Sequence, residues 1–236
     1  MDREIITAMF DLQVLYEDNH IIAVNKPACM LVQGDVTGDI SLMDHVKEYI
    51  KVKYNKPGDV FLGLIHRIDR PVSGVVLFAR TSKGASRLSE QFRRHLTQKT
   101  YYAVVESVPF LEKGDLVDWL IKDESRNVVS IGREDMAGAQ WAKLSYKLIA
   151  QSDGKALLEV EPMTGRPHQI RVQLSHMGCP IVGDIKYGAS APLPDKSIAL
   201  CAMAMVFETA TTKEVVRAET KVPTTWQEWF PGLLVE

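Results

Sequence analysis

The chain has 236 residues, 46% of them hydrophobic and 25% charged, with a formal net charge of -2. This is ordinary globular composition, enough for one large core or two modest lobes, and no apolar run approaches the ~20 residues of a membrane-spanning helix. The first ten residues, MDREIITAMF, lack an apolar stretch of signal-peptide length. Three scattered cysteines (Cys29, Cys179, Cys201) with no CxxC argue against a disulfide framework or thiolate zinc site, so a cytoplasmic protein without a membrane partner is expected.

Residues 12–25, LQVLYEDNHIIAVN, read as a β-hairpin turning at Glu17, Asp18 and Asn19, and Pro27 ends its second strand. After a loop over 28–40, Ser41 caps a helix with Leu42, Val46, Tyr49 and Ile50 on one face. Val60 to Ile65 is the next expected strand. It runs into a polar knot, His66, Arg67, Asp69 and Arg70, punctuated by Pro71 and Gly74, and Val75 to Ala79 leaves as another strand. Thr81 or Ser82 caps a second helix whose apolar line is Ala85, Leu88, Phe92 and Leu96, with Lys83, Arg87, Glu90 and Arg94 pointing away. Strands follow over Thr100 to Glu106, Leu116 to Ile121, Asn127 to Ile131, Gln140 to Ile149 and Lys155 to Glu161. Gln169 to His176 fits a short helix or a strand, because its apolar residues satisfy both periods. Gly178, Pro180, Gly183 and Gly188 shape the loop after it, and 189–197 is a small surface loop. Ile198 to Thr209 and Glu214 to Ala218 make a late hairpin, and Trp226, Trp229 and Phe230 stand at helical spacing in a tail packed on the body.

Charge is unevenly distributed. Residues 66–99 hold eight lysines and arginines against two acids, a positive island on an otherwise acidic chain. Such an island focuses a phosphate backbone onto one face, or is simply the solvated side of an arginine-rich helix. Two segments carry more polar side chains than connectors need: 66–74 and 164–176 supply His66, Arg67, Asp69, Arg70, Arg166, His168, Arg171 and His176. A metal site drawn through His66, Asp69 and His168 is disfavoured by the four arginines around it, which suit an anion better than a cation. There is no GxSxG nucleophile elbow, P-loop or GxGxxG. What remains is Asp69 either as a structural ion pair in its turn or as a reacting carboxylate aimed by an arginine of the second segment.

HRIDRPVSGVVLFA (66–79) resembles the HRLDxxTSGxxxxA motif of the RluA-type pseudouridine synthases. The resemblance extends in the family's order through YEDNHIIAVNKPACMLVQ (16–33), KTYYAVVE (99–106) and TGRPHQIRVQLSHMGCPIVGDIKYG (164–188), and more loosely ALCAMAMVF (199–207). It implies an α+β fold with a mixed, largely antiparallel curved sheet, flanking helices and a central cleft. It implies an isomerase that needs no cofactor or metal, which detaches uracil from C1′ of a flipped uridine in RNA, turns it and rejoins it through C5. Carried over motif by motif, Asp69 is the nucleophile, Tyr101 the stacking and proton-transfer residue, and Arg171 the arginine paired with Asp69. Arg67 helps hold the emptied place in the RNA stack, and His66, Arg70, Arg166, His168, Arg87 and Arg94 complete the RNA-binding set.

The expected organisation is one catalytic domain over 1–236, a monomer acting on a stem-loop of ribosomal or transfer RNA. No S4-type module is expected ahead of motifs that begin by residue 12. Val72 and Gln173 replace the family's usual threonine and frequent histidine. A catalytically silent RNA-binding module on the same fold is the alternative.

Overall fold

The computed structural model describes residues 11–232; the reading of the first ten residues, and the Leu233 and Leu234 end of the tail, fall outside them. β1 (Val14–Glu17) and β2 (Ile21–Lys26) form the first hairpin, closed by the Asp18 carboxylate, which accepts the His20 and Ile21 amides at 2.7 and 2.6 Å. α1 (Leu42–Lys53) begins on a reciprocal cap between Ser41 and Asp44 and buries Leu42, Val46 and Ile50. β3 is only Gly63–Leu64, shorter than the alternation over 60–65 predicts: Val60 and Leu62 pack into the core outside the paired stretch. β4 (Ser73–Ala79) follows, then α2 (Ser82–Arg93), capped by Thr81, whose hydroxyl accepts the Gly84 amide at 3.1 Å. His95, at φ 54°, turns the chain off that helix, so Leu96 lies past its end and is 52% exposed instead of continuing the apolar line.

The remaining elements are β5 (Gln98–Val105), β6 (Lys113–Asp123), β7 (Val128–Gly132), β8 (Gln140–Ser152), β9 (Lys155–Pro162), α3 (Gln169–His176), β10 (Leu200–Glu208) and β11 (Val215–Glu219). All eleven strands join one sheet in the order β1-β2-β4-β10-β5-β9-β8-β6-β7, with β11 on β10 and β3 on β4. Among the described residues only the β4–β10 pairing is parallel. The expected α+β fold, mixed and largely antiparallel, is therefore the one that forms.

The uninterrupted apolar runs of β2 and β4 have a simple cause: both faces of the sheet are covered there. Ile22, Val24, Val76 and Phe78 point into the larger core cluster, while Ile21, Ala23, Val75 and Leu77 point to a second cluster with Leu88 of α2. β10 wedges between β4 and β5, two strands that bear on the site. Gly74 makes that approach possible: its φ is +116°, and a Cβ there would overlap the backbone of Ala202. The tail folds onto the body, with Trp226 and Phe230 only 4% and 6% exposed in the main core.

Candidate active site

The loop between β3 and β4 is held from several sides. Ile68 and Val72 anchor it in the core on either side of Asp69. The Val72 amide donates to the Asp69 carbonyl at 3.1 Å, and the Ile198 amide donates to the Pro71 carbonyl at 3.3 Å. Lys26, fully buried at the end of β2, donates its three ammonium hydrogens to the carbonyls of Pro27, Met30 and Arg70 at 2.9, 2.8 and 3.0 Å. Burial pulls its pKa down to about 7 while those carbonyls favour the ammonium. The loop is thus braced, and Asp69 sits on it with its side chain 28% exposed to a cleft of about 380 Å³.

Opposite stands α3. The helix-or-strand ambiguity of its sequence resolves as helix because Gln169 to Leu174 are all buried, around the whole circumference. The turn before it is fixed by Gln169, whose side-chain oxygen accepts from the Thr164 hydroxyl (2.7 Å) and the Arg166 amide (3.1 Å), and whose amide nitrogen donates to the Lys143 carbonyl (3.1 Å). Arg171 projects from this helix. Its Nη1 donates to Asp69 Oδ2 at 2.9 Å, and its Nε and Nη2 grip the two oxygens of Asp184 at 2.7 and 2.8 Å. Its guanidinium lies 5.0 Å from the Tyr187 ring centroid. Burial disfavours this charge, but Asp184 and then Asp69 more than offset it, and the Arg171 pKa is raised. The Asp69–Arg171 pair expected from sequence is present. The Asp69 neighbour Arg70 pairs instead with Asp39 at 2.7 Å and donates to the Cys29 carbonyl.

A second relay reaches the same carboxylate. The Tyr187 hydroxyl accepts the Val129 amide at 2.9 Å, so its own hydrogen is free to go to His168 Nδ1, 2.7 Å away. The other ring nitrogen, Nε2, lies 3.9 Å from Asp69 Oδ2. Burial lowers the His168 pKa, though Asp69 pulls the other way.

Tyr101 faces the cleft from β5, and burial, reinforced by the Asp69 charge, raises the pKa of its phenol. His66 also lines the cleft, but as a neutral prop: its Nε2 accepts the Leu77 amide at 3.0 Å and its ring stacks on Phe92. Burial, and then the Lys99 charge, hold its pKa down to about 3. Arg67 is exposed at the rim, and Arg166 donates Nε to the Trp141 carbonyl at 3.0 Å.

The cleft therefore gathers His66, Arg67, Asp69, Tyr101, Arg166, His168 and Arg171. Arg70, Arg87, Arg94 and His176 are not among its walls. At ~100° per residue, Arg87 and Arg94 lie roughly 140–160° around α2 from the cleft-lining Phe92. Both lean on Glu90, at 3.8 and 3.5 Å.

Four contributors escaped the sequence reading. Asp184 and Tyr187 sit in the glycine-punctuated loop after α3, where only the three-dimensional contact with Arg171 and His168 reveals their use. Lys26 was legible only as the end of a strand, although a lysine closing the apolar run IIAV is itself a signal of a buried cation. Lys99 was counted in the basic island, but its place on the same strand face as Tyr101 was the available clue.

Residues 20–176 match a family model described as RNA pseudouridylate synthase. The chain is 31% identical to a tRNA pseudouridine synthase C of Vibrio parahaemolyticus, covering 94% of this chain and 95% of that protein. It is 33% identical to a ribosomal large subunit pseudouridine synthase C of Rickettsia bellii, covering 89% and 68%. Among solved structures, human RNA pseudouridylate synthase domain containing 4 superposes with a TM-score of 0.76 at 24% identity over 91% of this chain and 90% of that one. Human RNA pseudouridylate synthase domain containing 1 superposes with a TM-score of 0.75 at 20% identity, covering 97% and 91%. The two superpositions agree with the fold.

Proposed function

The chain belongs to the RNA pseudouridylate synthase family, a family of isomerases, and from that premise we propose that it converts uridine to pseudouridine in structured RNA with Asp69 as nucleophile. One observation carries the assignment of Asp69. A carboxylate with one oxygen fixed on Arg171 faces a nucleoside-sized cleft that also holds Tyr101, and in that cleft Arg67, Lys99 and Arg166 have no acidic partner among the described residues. The wall offers cations to a phosphate backbone and a single anion to a sugar carbon.

In this reading the target uridine leaves its stack, at a cost of a few kcal/mol, and enters the cleft. Asp69 attacks C1′, and the N1–C1′ bond breaks with its electron pair passing to the uracil. The freed base turns on the face of Tyr101, and C5 attacks C1′, displacing the Asp69 carboxylate. Loss of the C5 proton and gain of one at N1 complete an isomerisation with no net change in atoms. Arg171 aims the carboxylate, and Tyr101 supplies the stacking face and a phenol for the proton steps. His168 Nε2 is placed to steady the Asp69 oxygen. Arg67 and Arg166 take the RNA, with Arg70, Arg87 and Arg94 as outlying contacts. One continuous sheet supports a single catalytic domain.

One relative is named for tRNA and another for the large ribosomal subunit, so these RNAs are the first to test. Tritium release from C5-labelled RNA, with pseudouridine mapping in total RNA with and without the gene, decides the matter. Wild-type protein releases tritium, and Asp69→Asn binds RNA without release. Normal release by Asp69→Asn removes the nucleophile assignment, and wild-type protein that binds RNA but never forms pseudouridine is the silent binding module instead.

A further inference from the structure

We propose that Lys99 is the anchor for a backbone phosphate of the bound RNA beside the target uridine. The inference rests on the RNA-modifying reading of the cleft and names a contact within it. Lys99 and Tyr101 alternate onto one face of β5, their backbone positions about 7 Å apart along the strand, and both side chains line the cleft. The Lys99 Nζ lies 5.6 Å from the Phe92 ring centroid, and a Cβ built on Gly165 would stand 3.8 Å from it. The turn at Gly165 thus runs within contact distance of the ammonium.

Lys99 shares the lack of an acidic partner with Arg67 and Arg166, but Arg67 is exposed and Arg166 donates to the Trp141 carbonyl, whereas the half-buried Lys99 ammonium has no polar partner among the described residues. Arg171 answers to two carboxylates and Lys26 to three carbonyls. Among the described residues the Lys99 ammonium has neither a hydrogen bond nor an ion pair, only the ring of Phe92. Its charged neighbours make matters worse. His66 is kept neutral, Arg166 is another cation of the same wall, and the one carboxylate lining the cleft, Asp69, is engaged with Arg171. Burial pushes the Lys99 pKa down, the expected response of an ammonium without a partner. A cation held in this way is completed by an anion that arrives with the substrate. Uracil is neutral and the ribose uncharged, so the anion RNA brings is a phosphodiester.

The test uses tRNA from a strain lacking the gene, with filter binding across a salt series and tritium release for turnover. Lys99→Met keeps the aliphatic stem on Phe92 and removes the charge. It should raise Kd about 10- to 100-fold, the range for a hydrogen bond to a charged group. It should also reduce the slope of log K against log salt by about 0.7, the value for one phosphate on a single strand, with the loss falling on KM more than on kcat. Lys99→Arg should recover the slope, and Lys99→Gln gives a second neutral reading should the methionine variant fold poorly. If the wild type forms pseudouridine while both neutral variants keep its Kd and slope, the phosphate assignment is overturned and the enzyme reading stands. A fall in kcat with Kd and slope unchanged also overturns it. A wild type that forms no pseudouridine in any RNA removes the reading beneath it.

Discussion

Asp184→Asn should damage the enzyme from behind the cleft. The Asp184 side chain is 1% exposed and takes Arg171 bidentately, so substrate need never touch it. The asparagine keeps one acceptor but turns an N–H group toward a guanidinium and leaves that cation one carboxylate short. Breaking a buried pair in this way costs about 3–5 kcal/mol. For a domain of this length that corresponds to a melting temperature lower by roughly 6–20 °C, since each kcal/mol moves it about 2–4 °C. The effect on catalysis is separate. Arg171 would settle on Asp69 alone, its remaining ion-pair partner, and displacing the carboxylate by about 1 Å is worth about 10²-fold in rate. The expected result is a lower melting temperature together with kcat reduced about 100-fold and KM within a few-fold of wild type, read by calorimetry and tritium release. Wild-type kcat in Asp184→Asn, or a loss confined to KM, would show that Asp184 does not hold Arg171 for chemistry.

Other outcomes follow from the same geometry. Tyr101→Phe should bind RNA nearly as well as wild type but turn over about 10²-fold more slowly, whereas Tyr101→Ala should also weaken binding by about 1–3 kcal/mol; equal turnover of Tyr101→Phe and wild type would take the phenol out of the proton steps. Arg166→Ala and Arg67→Ala should each lower RNA affinity by about tenfold, while Arg87→Ala and Arg94→Ala, on the outer face of α2, stay within about twofold, and the reverse order would move the RNA path onto the helix. For His66, a folded-state pKa of about 3 against an ordinary 6.5 means that the unfolded chain takes up the proton first. Its contribution is complete above about pH 6.5 and is lost as pH falls toward 3, amounting to about 2 kcal/mol by pH 5. Urea denaturation at about pH 7.5 and pH 5 should show that difference shrinking in His66→Gln; an undiminished difference would mean that His66 is not the group responsible.

Local chemistry carried most of the elements. Asp18 in the first turn, Ser41 and Thr81 as caps, and the alternation in β8 and β9 each act over a few residues and are visible as such. Long-range facts were harder to see. Nothing in ALCAMAMVF says that it inserts between β4 and β5, because a parallel partner some 130 residues away leaves no mark on its own periodicity. The helical state of 169–176 was undecidable because Ile170, Val172 and Leu174 fit either period, and burial of every residue from Gln169 to Leu174 settled it. At the site, Asp69 and Arg171 were legible through the motifs that contain them. Asp184 was not, because its partner is set by how a loop returns past a helix. The neutrality of His66 comes from its burial and then the Lys99 charge, and its ring is oriented by the Leu77 amide, a contact 11 residues away that a list of polar side chains does not contain.

The insertion of β10 has a temporal consequence. Asp69, Tyr101 and Arg171 have all been synthesised by residue 171, yet β4 and β5, which position the first two, are spaced by a strand that begins only at Leu200. A growing chain therefore possesses all three of these side chains well before it possesses a cleft. Contacts this distant in sequence form slowly and late, so Asp69 is set opposite Arg171 in the finished sheet and partly folded molecules lack the arrangement proposed for catalysis. Pulse-labelled refolding followed by both far-ultraviolet dichroism and tritium release should show secondary structure returning ahead of activity, with closure of the β4–β10–β5 seam as the step that separates them.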